Sequence, residues 1–281
     1  MTSSIHPPRA FVIGWPIAHS RSPLIHGYWL RQHGLAGSYE RLPVPPDDIA
    51  TFLAEFPARG FVGGNVTVPH KEAAFAAAIL RDQSVVETGA ANTLWMERGQ
   101  LAAANTDPEG FLANLDASAP GWEEGGNGAV VLGAGGAARA IVWALRSRGL
   151  TVAIVNRTAE RAAQLAAAFP GASAHPWEAL PDLLGGAGVL VNATSLGMAG
   201  KSELALDLSP LPTEALVTDI VYVPLVTPLL AAAAARGNRI VDGLGMLLHQ
   251  AVPGFERWFG VRPTVTAELR ALVVADLEAA R

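Results

Sequence analysis

The chain has 281 residues, half of them hydrophobic, and a net charge of −5 with no basic run. That content fills one large hydrophobic core or two ordinary ones, and the charge argues against nucleic acid or an anionic membrane as main partner. With no cysteine, disulfides, thiol catalysis and zinc–thiolate sites are excluded.

Met1 to Arg9 holds no apolar core of the signal-peptide kind, and the apolar run Val221 to Ala235 is short and carries Pro224 and Pro228. A cytoplasmic protein is therefore expected. Arg9 to Gly14 reads as a strand ended by Gly14 and Pro16. A polar loop with Ser20 follows, then a helix to about His33 that Ser22 would cap and Pro23 would open. Tyr39 to Val44 reads as a second strand, and the segment after Pro45 as a helix to about Phe56. Phe61 to Val68 alternates as a half-exposed strand. Pro69 would begin the next helix and put His70 and Lys71 in its first turn. A cation is disfavoured beside the positive end of a helix dipole, which suits a lysine that gives up its proton.

Thr88 to Trp95 and Leu101 to Ala104 read as paired strands across a turn at Arg98 and Gly99. Asp107 before Pro108 fits a helix cap and a functional carboxylate equally well on local pattern. Ala119 to Gly128 is rich in glycine and acid and marks a boundary.

Asn127 to Arg139 then gives a short apolar strand, a glycine turn and a helix start, in which Gly133, Gly135 and Ala138 match the G-x-G-x-x-G/A dinucleotide fingerprint. The next strand, Thr151 to Val155, completes a parallel βαβ unit and ends at Asn156, Arg157 and Thr158. An NAD site usually has an acid there for the ribose 2′-hydroxyl. A neutral residue followed by arginine, with Arg161 one turn on, suits the 2′-phosphate of NADP.

Val189 to Asn192, Leu216 to Val221 and Arg239 to Val241 read as further strands whose following turns collect small or polar residues, where doubly wound sheets bind ligands. Two helices end the chain, about Leu244 to Trp258 and Val265 to Ala280. Met246 and Gln250 form an i,i+4 pair on the first, and Gln250 inside so apolar a helix is expected to point into a site.

Taken together, these motifs resemble the shikimate dehydrogenase family. They are GWPIAHSRSP from Gly14, NVTVPHKE from Asn65, GAANT from Gly89, NTD from Asn105, GAGGA from Gly133, NRT from Asn156, NATS from Asn192, YVP from Tyr222 and DGLGM from Asp242. The resemblance implies an α/β fold of two domains: a discontinuous N-terminal α/β substrate domain (1–107 plus 244–281) and a doubly wound Rossmann NADP domain (108–243), with the active site in the cleft between them. Ser20, Ser22 and the Tyr222 hydroxyl would hold the substrate carboxylate; Asn65, Thr67, Asn92 and Gln250 would hold the ring hydroxyls. Lys71 and Asp107 would form the catalytic pair. Gly133, Ala134, Gly135, Gly136 and Ala137 would cradle the pyrophosphate. Asn156, Arg157, Thr158 and Arg161 would take the 2′-phosphate, and Ala193, Thr194, Ile220, Gly243 and Met246 the nicotinamide side. The implied reaction is NADPH-dependent reduction of 3-dehydroshikimate to shikimate by a monomer or homodimer with no metal. Two other readings are an NAD-preferring quinate/shikimate dehydrogenase and a catalytically inactive ligand sensor of the same fold. Pro108 and Gln83 depart from the family pattern, which has glycine and commonly an acid there.

Overall fold

The computed structural model describes residues 6–279. The chain divides into two compact units: one ends at Thr106 and resumes at Gln250, and the other is Asp107–His249.

The first unit begins with β1 (Arg9–Gly14), α1 (Ser22–Gln32), β2 (Ser38–Pro43), α2 (Ile49–Glu55), β3 (Phe61–Val66) and α3 (Lys71–Ala77). It continues with β4 (Leu80–Arg81), α4 (Gln83–Thr88), β5 (Thr93–Glu97) and β6 (Gln100–Ala104). The mixed sheet has the order β2-β1-β3-β5-β6-β4. Strand β1 lies parallel to both β2 and β3, so Ala10 to Ile13 are buried on both faces and read as an unbroken apolar run. The β5–β6 hairpin turns through Arg98 (φ 52°) and Gly99 (φ 77°), the left-handed pair that matches strand twist. A Cβ on Gly64 would lie 2.3 Å from the Phe11 ring, and one on Gly63 2.5 Å from Trp258 Nε1. The two glycines thus let aromatic rings close directly on β3. Phe11 meets Phe52, Phe56 and Phe61 edge-on at centroid distances of 5.1, 5.3 and 5.4 Å. Burying each such ring contributes about 1.5–3 kcal/mol.

The second unit holds α5 (Asp107–Ser118), β7 (Gly128–Leu132), α6 (Gly136–Ser147), β8 (Thr151–Val155), α7 (Ala159–Ala167) and β9 (Ala172–His175). Then follow α8 (Leu180–Leu184), β10 (Val189–Asn192), β11 (Leu216–Asp219), α9 (Pro228–Ala235), β12 (Ile240–Val241) and α10 (Leu244–His249). Its six strands pair in parallel in the order β12-β11-β10-β7-β8-β9. Strand order reverses between β7 and β10, which is the doubly wound Rossmann arrangement and its ligand-binding switch point. The chain re-enters the first unit with α11 (Ala251–Phe259), packed on β3, β5 and α1, and α12 (Ala267–Ala279), packed on α1. No helix among the described residues is long and apolar enough to cross a membrane.

Two local expectations differ from the observed elements. Thr88 ends α4 and does not begin a strand: Asp82 caps that helix through the Val85 N–H (3.2 Å), and Gly89 (φ 63°) closes it. The long helix expected from Leu244 to Trp258 is broken at Gln250. Pro253 has no N–H for the His249 carbonyl four residues back, so one continuous ladder cannot form. Helix α10 stays with the second unit, where a Cβ on Gly245 would fall on the Asn114 side chain of α5, and that unit runs on to His249, beyond the expected end at residue 243.

Candidate active site

In the first unit, the loops after the parallel strands β1 and β3 run side by side. Trp15 N–H donates to Val68 O (3.1 Å) and Thr67 N–H to Ile13 O (2.9 Å). A Cβ on Gly14 would lie 2.6 Å from Thr67 Cγ2, so glycine is needed for this approach. The β1 loop carries Ser20 and Ser22. No side chain caps α1, and Ser22 is its first residue, so capping does not account for the serine. Instead Ser20 Oγ donates to Ser22 Oγ and accepts from the Ser22 N–H, both at 3.3 Å. Arg41 Nε donates to Ser20 O (2.8 Å), and Arg21 is paired with Asp276 of α12 (2.5 Å), so the serine loop is tied at two points.

Asn65 lies on β3 opposite Val12 of β1 and Thr93 of β5 and is buried. Its Nδ2 donates to Asn92 O (3.1 Å) and Thr93 Oγ1 (3.2 Å), while its Oδ1 accepts from the Tyr39 hydroxyl (2.6 Å). Asn92 Oδ1 accepts from Thr93 Oγ1 (2.9 Å) and the Thr106 N–H (2.8 Å), and Thr106 Oγ1 donates to Gln250 O (2.8 Å). One polar network therefore runs from Tyr39 to Gln250 within this unit. Lys71 is the first residue of α3 and half-buried; its carbonyl accepts from Ala91 N–H (2.9 Å). The helix begins slightly later than Pro69 suggested. His70, before Lys71, is buried with Nε2 2.7 Å from Val44 O.

Asp107 follows Thr106 directly, opens α5 of the second unit and is 9% exposed. At the switch point, Gly133 takes φ 108°, its N–H donates to Val155 O (2.8 Å), and a Cβ there would lie 3.0 Å from Thr194 Cγ2 and 3.2 Å from Ala193 O. Gly135 and Gly136 differ: a Cβ on either would meet nothing within 4 Å. Nothing in the chain itself demands glycine there, so the open backbone at the start of α6 fits an external pyrophosphate. Ala138 is fully buried, as the third fingerprint residue should be. Beyond β8, Asn156 Nδ2 donates to Thr158 O (2.9 Å). Arg157 and Arg161 are exposed, and neither side chain makes a hydrogen bond or ion pair among the described residues. Two cations outside any ion pair, with the neutral Asn156 instead of an acid at the end of β8, fit a 2′-phosphate.

The turn after β10 is held from beneath. Asn192 Oδ1 accepts from the Thr194 N–H (3.0 Å) and hydroxyl (2.7 Å), and its Nδ2 donates to Asp219 Oδ1 (3.0 Å). Asp219 has no exposed surface and also accepts from Val221 N–H (3.0 Å) and the Thr227 hydroxyl (2.8 Å). Burial pushes its carboxyl above the usual carboxylate range, with those hydrogen bonds opposing. Ala193, Thr194 and Ile220 therefore stand on a rigid base, and a Cβ on Gly243 would fall 2.2 Å from Ile220 O. Met246 is half-buried against the core of this unit, and Tyr222 is half-buried in the loop after β11.

Models of the shikimate dehydrogenase substrate binding domain, of shikimate/quinate 5-dehydrogenase and of the shikimate 5′-dehydrogenase C-terminal domain match residues 12–94, 123–206 and 243–271. The NADP(+) shikimate dehydrogenase of Mesorhizobium japonicum is 63% identical over 271 residues, 96% of each chain. The chain belongs to the shikimate dehydrogenase family. Its fold is shared with solved members: shikimate 5-dehydrogenase from Thermus thermophilus in complex with NADP(H) and shikimate (TM-score 0.85, 38% identity, 95% of this chain and 99% of that one) and quinate dehydrogenase from Corynebacterium glutamicum in complex with NAD (TM-score 0.89, 29% identity, 96% and 99%). For this shikimate dehydrogenase family member, the first unit carries Ser20 in the loop after β1, Ser22 at the start of α1, Asn65 on β3, Thr67 just after it, Lys71 at the start of α3 and Asn92 just before β5, and links Gln250 to Asn92 through Thr106 and its own backbone. Asp107, Tyr222 and the residues expected around the cofactor belong to the second unit. The motifs include Thr106, in NTD, but give it no role, and they leave out Tyr39 and Asp219. Asp219 had a local signal, a lone acid ending the apolar strand Leu216–Asp219.

Proposed function

We propose that this chain catalyses the reversible, NADP-dependent interconversion of shikimate and 3-dehydroshikimate, with Lys71 and Asp107 handling the proton. The observation that carries the reading is the polar network of the first unit. Asn65, Asn92 and Thr106 are buried, Asn92 is bonded to both of the others, and Asn65 stands in sheet register opposite β1, the strand that leads into the Ser20–Ser22 loop. An apolar core has no use for so many amides and hydroxyls, whereas a polyhydroxylated ring does.

In this reading, Ser20, Ser22 and Tyr222 bind the carboxylate, and Asn65, Thr67, Asn92 and Gln250 orient the ring hydroxyls. NADPH, when bound, supplies the hydride that reduces the carbonyl carbon. The Lys71 ammonium delivers a proton to the carbonyl oxygen, leaving a secondary alcohol and a neutral amine that solvent reprotonates. Asp107 orients that ammonium and balances its charge. The backbone from Gly133 to Ala137 would cradle the pyrophosphate, Asn156 to Arg161 would take the 2′-phosphate, and Ala193, Thr194, Ile220, Gly243 and Met246 would line the nicotinamide side. Arg157 and Arg161, following a neutral Asn156 where β8 ends, favour NADP over NAD. Cytoplasmic residence and a monomeric or homodimeric state complete the reading; cell fractionation and light scattering test them.

The decisive assay follows absorbance at the nicotinamide band with shikimate and quinate each tested against NADP and NAD. Shikimate with NADP should give the highest kcat/KM of the four pairs. No turnover with that pair would overturn the reading; quinate with NAD as the best pair would replace it with the catabolic one.

A further inference from the structure

Beneath the serine loop lies an aromatic stack that the proposed chemistry leaves unexplained. His26 is fully buried and sits one helical turn after Ser22 on the same face of α1. Its ring lies flat on that of Tyr39, with centroids 3.9 Å apart and planes 11° from parallel. Phe255 and Trp258 of α11 and Trp29 of α1 close around it at 5.8, 5.6 and 5.7 Å. Neither imidazole nitrogen makes a hydrogen bond. Burial pushes the ring pKa down to about 3, the nearby Asn65 amide only partly opposing this. At neutral pH His26 is thus an uncharged aromatic plate. A buried imidazole with no hydrogen bond of its own costs stability, so the flat support it gives Tyr39 is the use that remains.

The Tyr39 hydroxyl sits where two expected substrate groups meet. It donates to Asn65 Oδ1 at 2.6 Å. The i,i+4 relation of Ser22 to His26 brings the stacked phenol beneath Ser22, and the Ser22 hydroxyl tempers the rise that burial gives the phenol pKa. Both Asn65 amide hydrogens are already engaged, by Asn92 O and Thr93 Oγ1. The Tyr39 bond therefore fixes which end of the amide points where, and leaves a single lone pair of Oδ1 for an outside donor.

We propose that Tyr39, held flat by His26, is a positioning residue that aligns Ser22 and Asn65 into one surface, the hydroxyl of Ser22 toward a carboxylate and the carbonyl oxygen of Asn65 toward a donating ring hydroxyl. The inference rests on the assignment of Ser22 and Asn65 to the substrate. Tyr39 itself acts through them.

Tyr39→Phe keeps the ring and its stack and removes one oxygen. Losing one hydrogen bond that orients an amide predicts a rise of about 3- to 10-fold in the shikimate KM, with kcat changed less than about twofold and the KM for NADP unchanged. A purely structural role would lower thermal stability and leave the KM for shikimate alone. Ser22→Ala and Asn65→Ala, assayed beside it, check the underlying assignment. If neither raises the shikimate KM, that assignment falls and the inference with it. If both raise it while Tyr39→Phe stays within about 1.5-fold of the parent, or if the NADP and shikimate KM values rise together, the positioning role alone is overturned.

Discussion

Replacing Gly135 by alanine should separate the demands of the fold from those of the cofactor. Gly135 has φ −94° and ψ −173°, which any residue adopts, and a Cβ there would meet nothing within 4 Å. Alanine narrows the unfolded chain more than it strains the native one, a gain of about 0.4–1 kcal/mol, or roughly 1–4 °C in melting temperature for a unit of this size. The same methyl group occupies the approach of the pyrophosphate to the start of α6, so the KM for NADP should rise by roughly an order of magnitude or more while the shikimate KM holds. Gly133→Ala is the contrast. At φ 108° and 3.0 Å from Thr194 Cγ2, its methyl group costs about 1–3 kcal/mol in backbone strain, and the protein should melt several degrees lower. Differential scanning calorimetry of the cofactor-free variants, with initial rates over a range of NADP concentrations, reads both effects. A Gly135→Ala enzyme with parental NADP affinity would refute the reasoning, because the open backbone would then have no ligand to explain it.

Arg157→Ala and Arg161→Ala should each raise the KM for NADP about 10- to 100-fold, the loss of about 1.5–3 kcal/mol from a charged hydrogen bond, and leave NAD use nearly unchanged; steady-state kinetics with both cofactors checks this. Asp219 predicts a pH signature. Its folded carboxyl titrates above the unfolded one, so between those two values the unfolded state has lost the proton the folded state keeps. Stability contributed by this group is full below the ordinary carboxylate pKa and declines as pH rises through the window above it. The melting-temperature difference between the parent and Asp219→Asn should therefore move against the parent as pH rises through that window, and a pH-independent difference would contradict the assignment.

Legibility in the sequence followed how local each signal was. The βαβ unit around Gly133 could be read because β7 is an apolar run, the glycines stand at fixed offsets, and α6 follows at once. The acidic, glycine-rich stretch Ala119–Gly128, expected to mark a boundary, lies inside the second unit between α5 and β7, whereas the division falls after Thr106, next to the limit that the family resemblance implies. Strand β9, Ala172–His175, carries no strand signal in the sequence because it is an edge strand with mostly small, partly exposed residues and no apolar alternation. Gln250 reads in the sequence as an odd residue inside an apolar helix, but it stands at a break between α10 and α11 that Pro253 signals and the apolar pattern hides. Tyr39 could not be found from any window. Its role depends on residues 26, 65, 255 and 258, which only the tertiary fold gathers.

The claim that Lys71 supplies the proton is tested most directly by single-turnover reduction of 3-dehydroshikimate in the Lys71→Ala enzyme at saturating NADPH. General acid catalysis contributes about 10²–10⁴-fold, so the reduction rate should fall by at least about a hundredfold while NADPH titrates with parental affinity. A rate within a fewfold of the parent would contradict the account and move the proton donor to another residue.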